Sequence, residues 1–169
     1  MKVKFLNWWD DGSNSYFLKA LGERHDAHAV HDDSADIVFI SVFGEREKAI
    51  SYLNNNPNIK CSVFFTGENT EAYAQHLQYD DYLLDHVDLA LGFKYENLVN
   101  RENYTRFPLW LTYFNIEENQ DITHLLDHNF CKFKNTPNSK RKFCALVNST
   151  DRLGYRRNFL KILQTYKDI

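Results

Sequence analysis

Apolar residues along this chain gather in short runs, and the stretches between them are polar and suited to helices. Val3 to Trp9 opens the chain as a first strand. Ile37 to Phe43, Ile59 to Phe65 and Val87 to Phe93 follow as further strands. The run from Ile37 is almost unbroken, the mark of a strand covered by helices on both faces. Tyr16 to Leu21 has helical spacing, with Gly22 placed to close that helix. Glu45 to Asn54 makes a short amphipathic helix with Ile50 and Leu53 inward, stopped by the Asn-rich stretch around Pro57. Strand, helix and strand at these lengths form a βαβ unit, which predicts an α/β fold on a parallel sheet with flanking helices.

Beyond Glu68 the pattern loosens. Asn69 to Asp85 is polar and tyrosine-rich (Tyr73, Tyr79, Tyr82), with helical potential around Ala72 to Leu77. It reads either as one wall of a ligand groove or as a surface helix and loop packed by rings. Tyr104 to Phe114 is the most aromatic segment, and Arg106 within it calls for a carboxylate partner. Glu68 and Asp88 are the two candidates. Glu117 to Asn129 has helical content around Ile122 to Leu126, and Phe130 to Lys142 reads as a linker. The alternation then restarts with a strand at Phe143 to Val147 and a helix from Arg156 to Tyr166, which carries Phe159, Leu160 and Leu163 on one face.

Charge and composition narrow the function. A net charge of −3 leaves no excess of Lys and Arg to neutralise phosphates, which argues against a nucleic-acid partner. The basic cluster from Lys132 to Lys142 reads as a solvated linker. The three cysteines, Cys61, Cys131 and Cys144, are too scattered for a disulfide framework or a zinc site and suit a reducing compartment. His25, His28 and His31 fall three apart, but the stretch alternates as an edge strand does, where such rings face opposite sides. No metal site is expected. No apolar run approaches the length of a membrane span, so no transmembrane segment is expected either.

The stretch with the most chemistry is Val63-Phe64-Phe65-Thr66-Gly67-Glu68-Asn69. It reads as a buried strand that runs into a glycine turn and delivers a carboxylate and an amide at its C-terminal end. In open parallel sheets, ligands bind in the crevice beyond that end. Glu68 there can serve as a general base. It can equally be the acidic first residue of the next helix, where a carboxylate suits the dipole. Trp8 and Trp9 also have two readings, as a core ring and a rim ring or as a stacking platform for a sugar face.

Phe-Phe-Thr-Gly-Glu-Asn resembles the Tyr/Phe-Thr-Gly-Glu-Asn segment of the α1,3/4-fucosyltransferases, an inverting family with the two-domain GT-B architecture. Four further segments are similar to that family's, in its order: Phe5 to Asp10, Ala35 to Gly44, Asp88 to Phe93 and Tyr104 to Trp110. The resemblance implies a Rossmann-like acceptor-side domain over residues 1–137. Residues 138–169 are then a linker and the first strand–helix unit of a truncated donor domain. The family's later donor motifs have no counterpart before Ile169. The implied reaction is fucosyl transfer from GDP-fucose, the donor substrate of the complete enzyme, to a hydroxyl of an acceptor oligosaccharide, with no cofactor bound in this chain. In it Glu68 is the catalytic base and Arg156 contacts the donor phosphates. Trp8, Trp9, Asn69 and Tyr73 meet the acceptor, and Arg106 orients a carboxylate from behind.

The implied partners are the acceptor glycan and a donor domain in cis or trans, with a homodimer through the C-terminal unit as a further expectation. The absence of the family's membrane anchor points to the cytoplasm or the cytoplasmic face of a membrane. A carbohydrate-binding or assembly module that lacks a donor site is the alternative of another class. A response-regulator domain, suggested by Asp10 and Asp11, fails for want of an aspartate ending the third strand and a lysine ending the fifth.

Overall fold

A computed structural model describes residues 1–71, 74–113 and 154–165. The chain divides into two compact units, Met1–Glu118 and Asn119–Ile169. In the first unit the elements run β1 (Lys2–Leu6), α1 (Tyr16–His25), β2 (His28–Ala29), β3 (Ile37–Ile40), α2 (Arg46–Asn55) and β4 (Cys61–Phe65). They continue with α3 (Ala74–Leu77), β5 (Leu89–Gly92), α4 (Glu96–Val99), β6 (Tyr104–Arg106) and a 3-10 turn at Leu109–Tyr113. The second unit contributes α5 (Tyr155–Gln164), whose Phe159 and Ile162 are exposed. The expected strand at Phe143 to Val147 and the linker before it lie outside the described residues, as does Tyr73.

The strands form one sheet in the order β2-β1-β3-β4-β5-β6, every neighbouring pair parallel. This is the Rossmann-like α/β arrangement that the apolar runs predict. Alternation along the strands sorts side chains to two faces. Val38, Ile40, Phe64 and Ala90 pack with Ala49 of α2 and with Tyr79, Tyr82 and Leu83. Phe39, Val63, Phe65 and Leu91 pack on the other face with Phe17 of α1 and Trp8. Phe64 and Phe65 are fully buried, and each contributes roughly 1.5–3 kcal/mol relative to an exposed ring.

The N-terminal edge of the sheet is tied by aspartates. Asp36 accepts the Lys2 N–H at 2.8 Å and pairs with Lys60 at 2.8 Å, so it pins the starts of β1, β3 and β4. The Lys60 ammonium, helped by the Lys2 N–H, lowers its carboxyl to about 2. Asp88 ties β4 to β5, accepting the Ser62 N–H and hydroxyl, both at 2.7 Å.

Several expectations are corrected. β1 ends at Leu6 because Asn7 turns into the left-handed region at φ 52°, so Trp8 and Trp9 lie beyond the strand. α1 passes through Gly22 and ends at His25, where Asp26 takes the left-handed conformation at φ 49°. A helix tolerates one glycine at about 1 kcal/mol, and burial of Phe17 and packing of Leu18 and Leu21 offset it. The three histidines therefore sit on different elements, His25 ending α1, His28 in β2 and His31 in the loop beyond. Tyr79 and Tyr82 do not line a groove. Both are buried in the core, Tyr79 stacked on Phe64 at 5.6 Å.

Candidate functional site

The strand order sets where a ligand fits. From β1 the chain moves outward to β2, then returns to β3 on the other side of β1, so the connections diverge beyond the C-terminal ends of β1 and β3. That divergence is the topological switch point of an open α/β sheet. A cleft of about 370 Å³ opens there. It is floored by Trp8 after β1, Ser41 after β3 and Gly67-Glu68 after β4. The start of α1, Asn14 to Phe17, closes one side, and Leu109 and Thr112 of the 3-10 turn close another.

Local chemistry explains the turn that presents Glu68. Buried Thr66 donates its N–H to the Leu91 carbonyl at 3.0 Å, which continues the β4–β5 ladder. Its hydroxyl then accepts the Glu68 N–H at 3.0 Å. Asn69 accepts the Glu71 N–H at 3.0 Å, and the chain turns away from the sheet. Gly67 is required by contact, since a Cβ there would meet the Leu109 side chain at 2.6–2.9 Å. The Thr-Gly-Glu-Asn segment thus uses three residues to shape a turn and leaves the half-buried Glu68 carboxylate on the cleft.

The β1 and β3 side is held as tightly. The Asn7 amide donates to the Tyr79 hydroxyl at 2.8 Å and to the Glu45 carbonyl at 3.1 Å. Tyr79 donates in turn to the Gly44 carbonyl at 2.9 Å. Gly44 has no room for a Cβ, which would collide with the Asn7 side chain. This tie fixes the residue before Trp8. Trp8 is buried and stacks on Trp9 at 4.5 Å, while Trp9 is half exposed and meets Phe43 edge-on at 5.9 Å. The structure thus has Trp8 as a core ring and Trp9 as a rim ring beside the cleft, the first of the two readings.

The electrostatics are one-sided. Asp10 and Glu68 are the charged residues on the cleft, and among the described residues no Lys, Arg or His lines it. Burial raises the Tyr16 phenol above its ordinary range against the pull of Arg24, so it stays neutral. The Trp8 indole N–H and the Ser41 hydroxyl are buried without a hydrogen-bond partner. Among the described residues no group of His, Cys, Asp and Glu is arranged to hold a metal ion.

The other sequence candidates are placed as follows. Asn69 is exposed on the turn and is not part of the cleft lining. Arg106 lies at the far edge of the sheet, its guanidinium 4.6 Å from the Tyr95 ring and its backbone N–H donating to the Glu96 carboxylate at 2.8 Å. Glu96 and Tyr95 are its neighbours, in place of Glu68 or Asp88. Arg156 is the second residue of α5, in the other unit. Sequence reasoning missed Ser41, Phe43, Tyr16 and Leu109. The one polar residue inside the apolar Ile37 to Phe43 run was the available signal for Ser41.

Among the described residues no helix is long and apolar enough to cross a membrane. Neither the curated proteins nor the solved structures gave a significant match. The family described as the alpha-(1,3)-fucosyltransferase FucT N-terminal domain matches residues 3–113, the span that builds the sheet and all of the cleft. That match covers more than half of the chain, which therefore belongs to the family of fucosyltransferase N-terminal domains.

Proposed function

We propose that this domain is the acceptor side of an inverting fucosyltransferase and that Glu68 is its general base. An acceptor hydroxyl in the cleft attacks the anomeric carbon of GDP-fucose. The bond from that carbon to the diphosphate oxygen breaks, GDP leaves with the electron pair, and Glu68 takes the hydroxyl proton. The observation that carries this reading is the Glu68 carboxylate on an aromatic-walled cleft at the switch point, with no cation on the lining among the described residues. Aromatic faces and carboxylates suit a sugar, and although the start of α1 borders the cleft, the carboxylates of Asp10 and Glu68 on the same lining oppose a diphosphate.

The diphosphate falls on this proposal to residues 138–169 and what accompanies them, as the start of a donor-side domain. Arg156 stands in the first turn of α5, and a helix start with a guanidinium suits phosphate. We propose the cytoplasm or the cytoplasmic face of a membrane as its place of work. The test is turnover of GDP-fucose onto a glycan by the enzyme and its Glu68→Gln and Glu68→Ala variants. Loss of the base lowers turnover by roughly a hundredfold or more, with circular dichroism unchanged. Near-normal turnover removes Glu68 as the base. Glycan binding without any transfer selects the carbohydrate-binding module instead.

A further inference from the structure

The segment that carries Glu68 leaves the sheet early. The Thr66 N–H bonds to the Leu91 carbonyl at 3.0 Å, and from Gly67 to Glu71 no further backbone-to-backbone hydrogen bond follows among the described residues. Side chains hold this stretch instead. At one end the Thr66 hydroxyl takes the Glu68 N–H. At the other, buried Thr70 donates its hydroxyl to Asp80 Oδ1 at 3.3 Å, and Glu71 pairs with the Lys94 ammonium at 2.8 Å. Lys94 meets the same Asp80 oxygen at 3.1 Å, so one ammonium joins Glu71 to the carboxylate that Thr70 holds. Its bond to Glu71, joined by Asp80, keeps that ammonium above its ordinary range against the pull of burial.

Lys94 stands on a fixed frame. It follows β5, and its carbonyl accepts the hydroxyl of buried Tyr104 at 2.8 Å. Gly92 lets Tyr82 and Tyr104 close on the end of β5, where a Cβ would meet both side chains at 2.6–2.9 Å. The carboxylates it grips are open to water, Glu71 at 60% and Asp80 at 50%. Ion pairs that exposed add little to overall stability. What they govern here is the course of the chain from Thr66 to Glu71, and Glu68 lies inside it. A general base must reach its proton at hydrogen-bond distance, and a displacement of about 1 Å costs as much as a hundredfold in rate. Resting on the reading of Glu68 as the base, we propose that Lys94 is a positioning residue for transfer, clamping Glu71 and, through Asp80, Thr70, so that the turn holds the Glu68 carboxylate on the cleft. Lys94 is not part of the cleft lining and acts through the backbone of the turn.

The test is a double-mutant cycle of Lys94→Met and Glu68→Gln, read as turnover of GDP-fucose onto a glycan by the enzyme. Lys94→Met should lower kcat about tenfold to a hundredfold and change the acceptor KM by less than about threefold. Its melting temperature should stay within about 3 °C of the unaltered enzyme. Glu71→Gln, which removes only the exposed partner, should show the same split. Lys94→Arg keeps a cation for both carboxylates and should recover kcat to within about threefold. In the Glu68→Gln background Lys94→Met should cost less than about twofold more, because no base is left to position. A kcat within about twofold of normal in Lys94→Met, or an equal loss in both backgrounds, overturns the proposal. Near-normal turnover of Glu68→Gln alone is a different result: it removes the base, and the clamp's role in transfer with it. Amide resonances of the chain read the clamp without catalysis, and Lys94→Met should displace those of Gly67 to Glu71. Resonances there that stay in place also overturn the proposal.

Discussion

Replacing Tyr79 with Phe isolates one hydroxyl at the centre of the site's support. The ring is fully buried and stacks on Phe64 at 5.6 Å, and Phe preserves that packing. What goes is the bond from the Asn7 amide at 2.8 Å and the bond to the Gly44 carbonyl at 2.9 Å. Each such bond is worth about 0.5–1.5 kcal/mol net. Neither partner is stranded, since Asn7 keeps the Glu45 carbonyl and Gly44 keeps the Gln78 amide at 3.3 Å. The loss should therefore be about 1–2 kcal/mol, near the sum of two bonds and without a large desolvation penalty. Urea denaturation followed by tryptophan fluorescence measures it, with the midpoint falling and the slope unchanged. Asn7→Ala should then cost much less in the Tyr79→Phe background than alone, because the two share a bond. A loss below about 0.3 kcal/mol, or full additivity of the two variants, would refute the tie as a support for the Trp8 loop.

Gly67→Ala should cost roughly 1–3 kcal/mol from overpacking against Leu109 and weaken glycan binding; thermal melts should show Leu109→Ala relieving the strain in the same chain. Asp36→Asn tests the sheet edge through pH. The folded carboxyl titrates at about 2, below its ordinary range near 3.9. Its stabilisation is thus present above pH 4 and lost as pH falls toward 2. The gap in melting temperature between the native chain and Asp36→Asn should close over that window, and a gap independent of pH would show that Asp36 does not stabilise through its charge. Trp9→Ala should weaken glycan binding with the melting temperature nearly unchanged, because the ring is half exposed; isothermal calorimetry separates the two effects.

The strands were the most legible part of the sequence, because a strand covered on both faces is apolar almost throughout, and Ile37 to Ile40 and Val63 to Phe65 are. The place of Glu68 was legible for the same reason, as the first charged residue after such a run. Tyr79 and Tyr82 were not. They sit in a run of turns where Tyr82 and Leu83 take φ of 55° and 53°, so no helical or strand period marks which face is buried. Trp8 and Trp9 escaped the alternation rule because Asn7 breaks the strand just before them and lets the two rings stack. Ser41 was hidden by its apolar neighbours Ile40 and Val42. The aspartates of the Ala35 and Asp88 segments lie on the sheet edge opposite the cleft, so part of what resembles the fucosyltransferases there is architecture rather than chemistry.

The most direct measurement is the crystal structure of the chain with a neutral disaccharide glycoside bound. A ring against Trp9 and one hydroxyl within about 2.6–3.2 Å of the Glu68 carboxylate is the predicted result. A glycan seated elsewhere, or in the cleft with every hydroxyl out of reach of Glu68, would contradict the assignment of this cleft as the acceptor site.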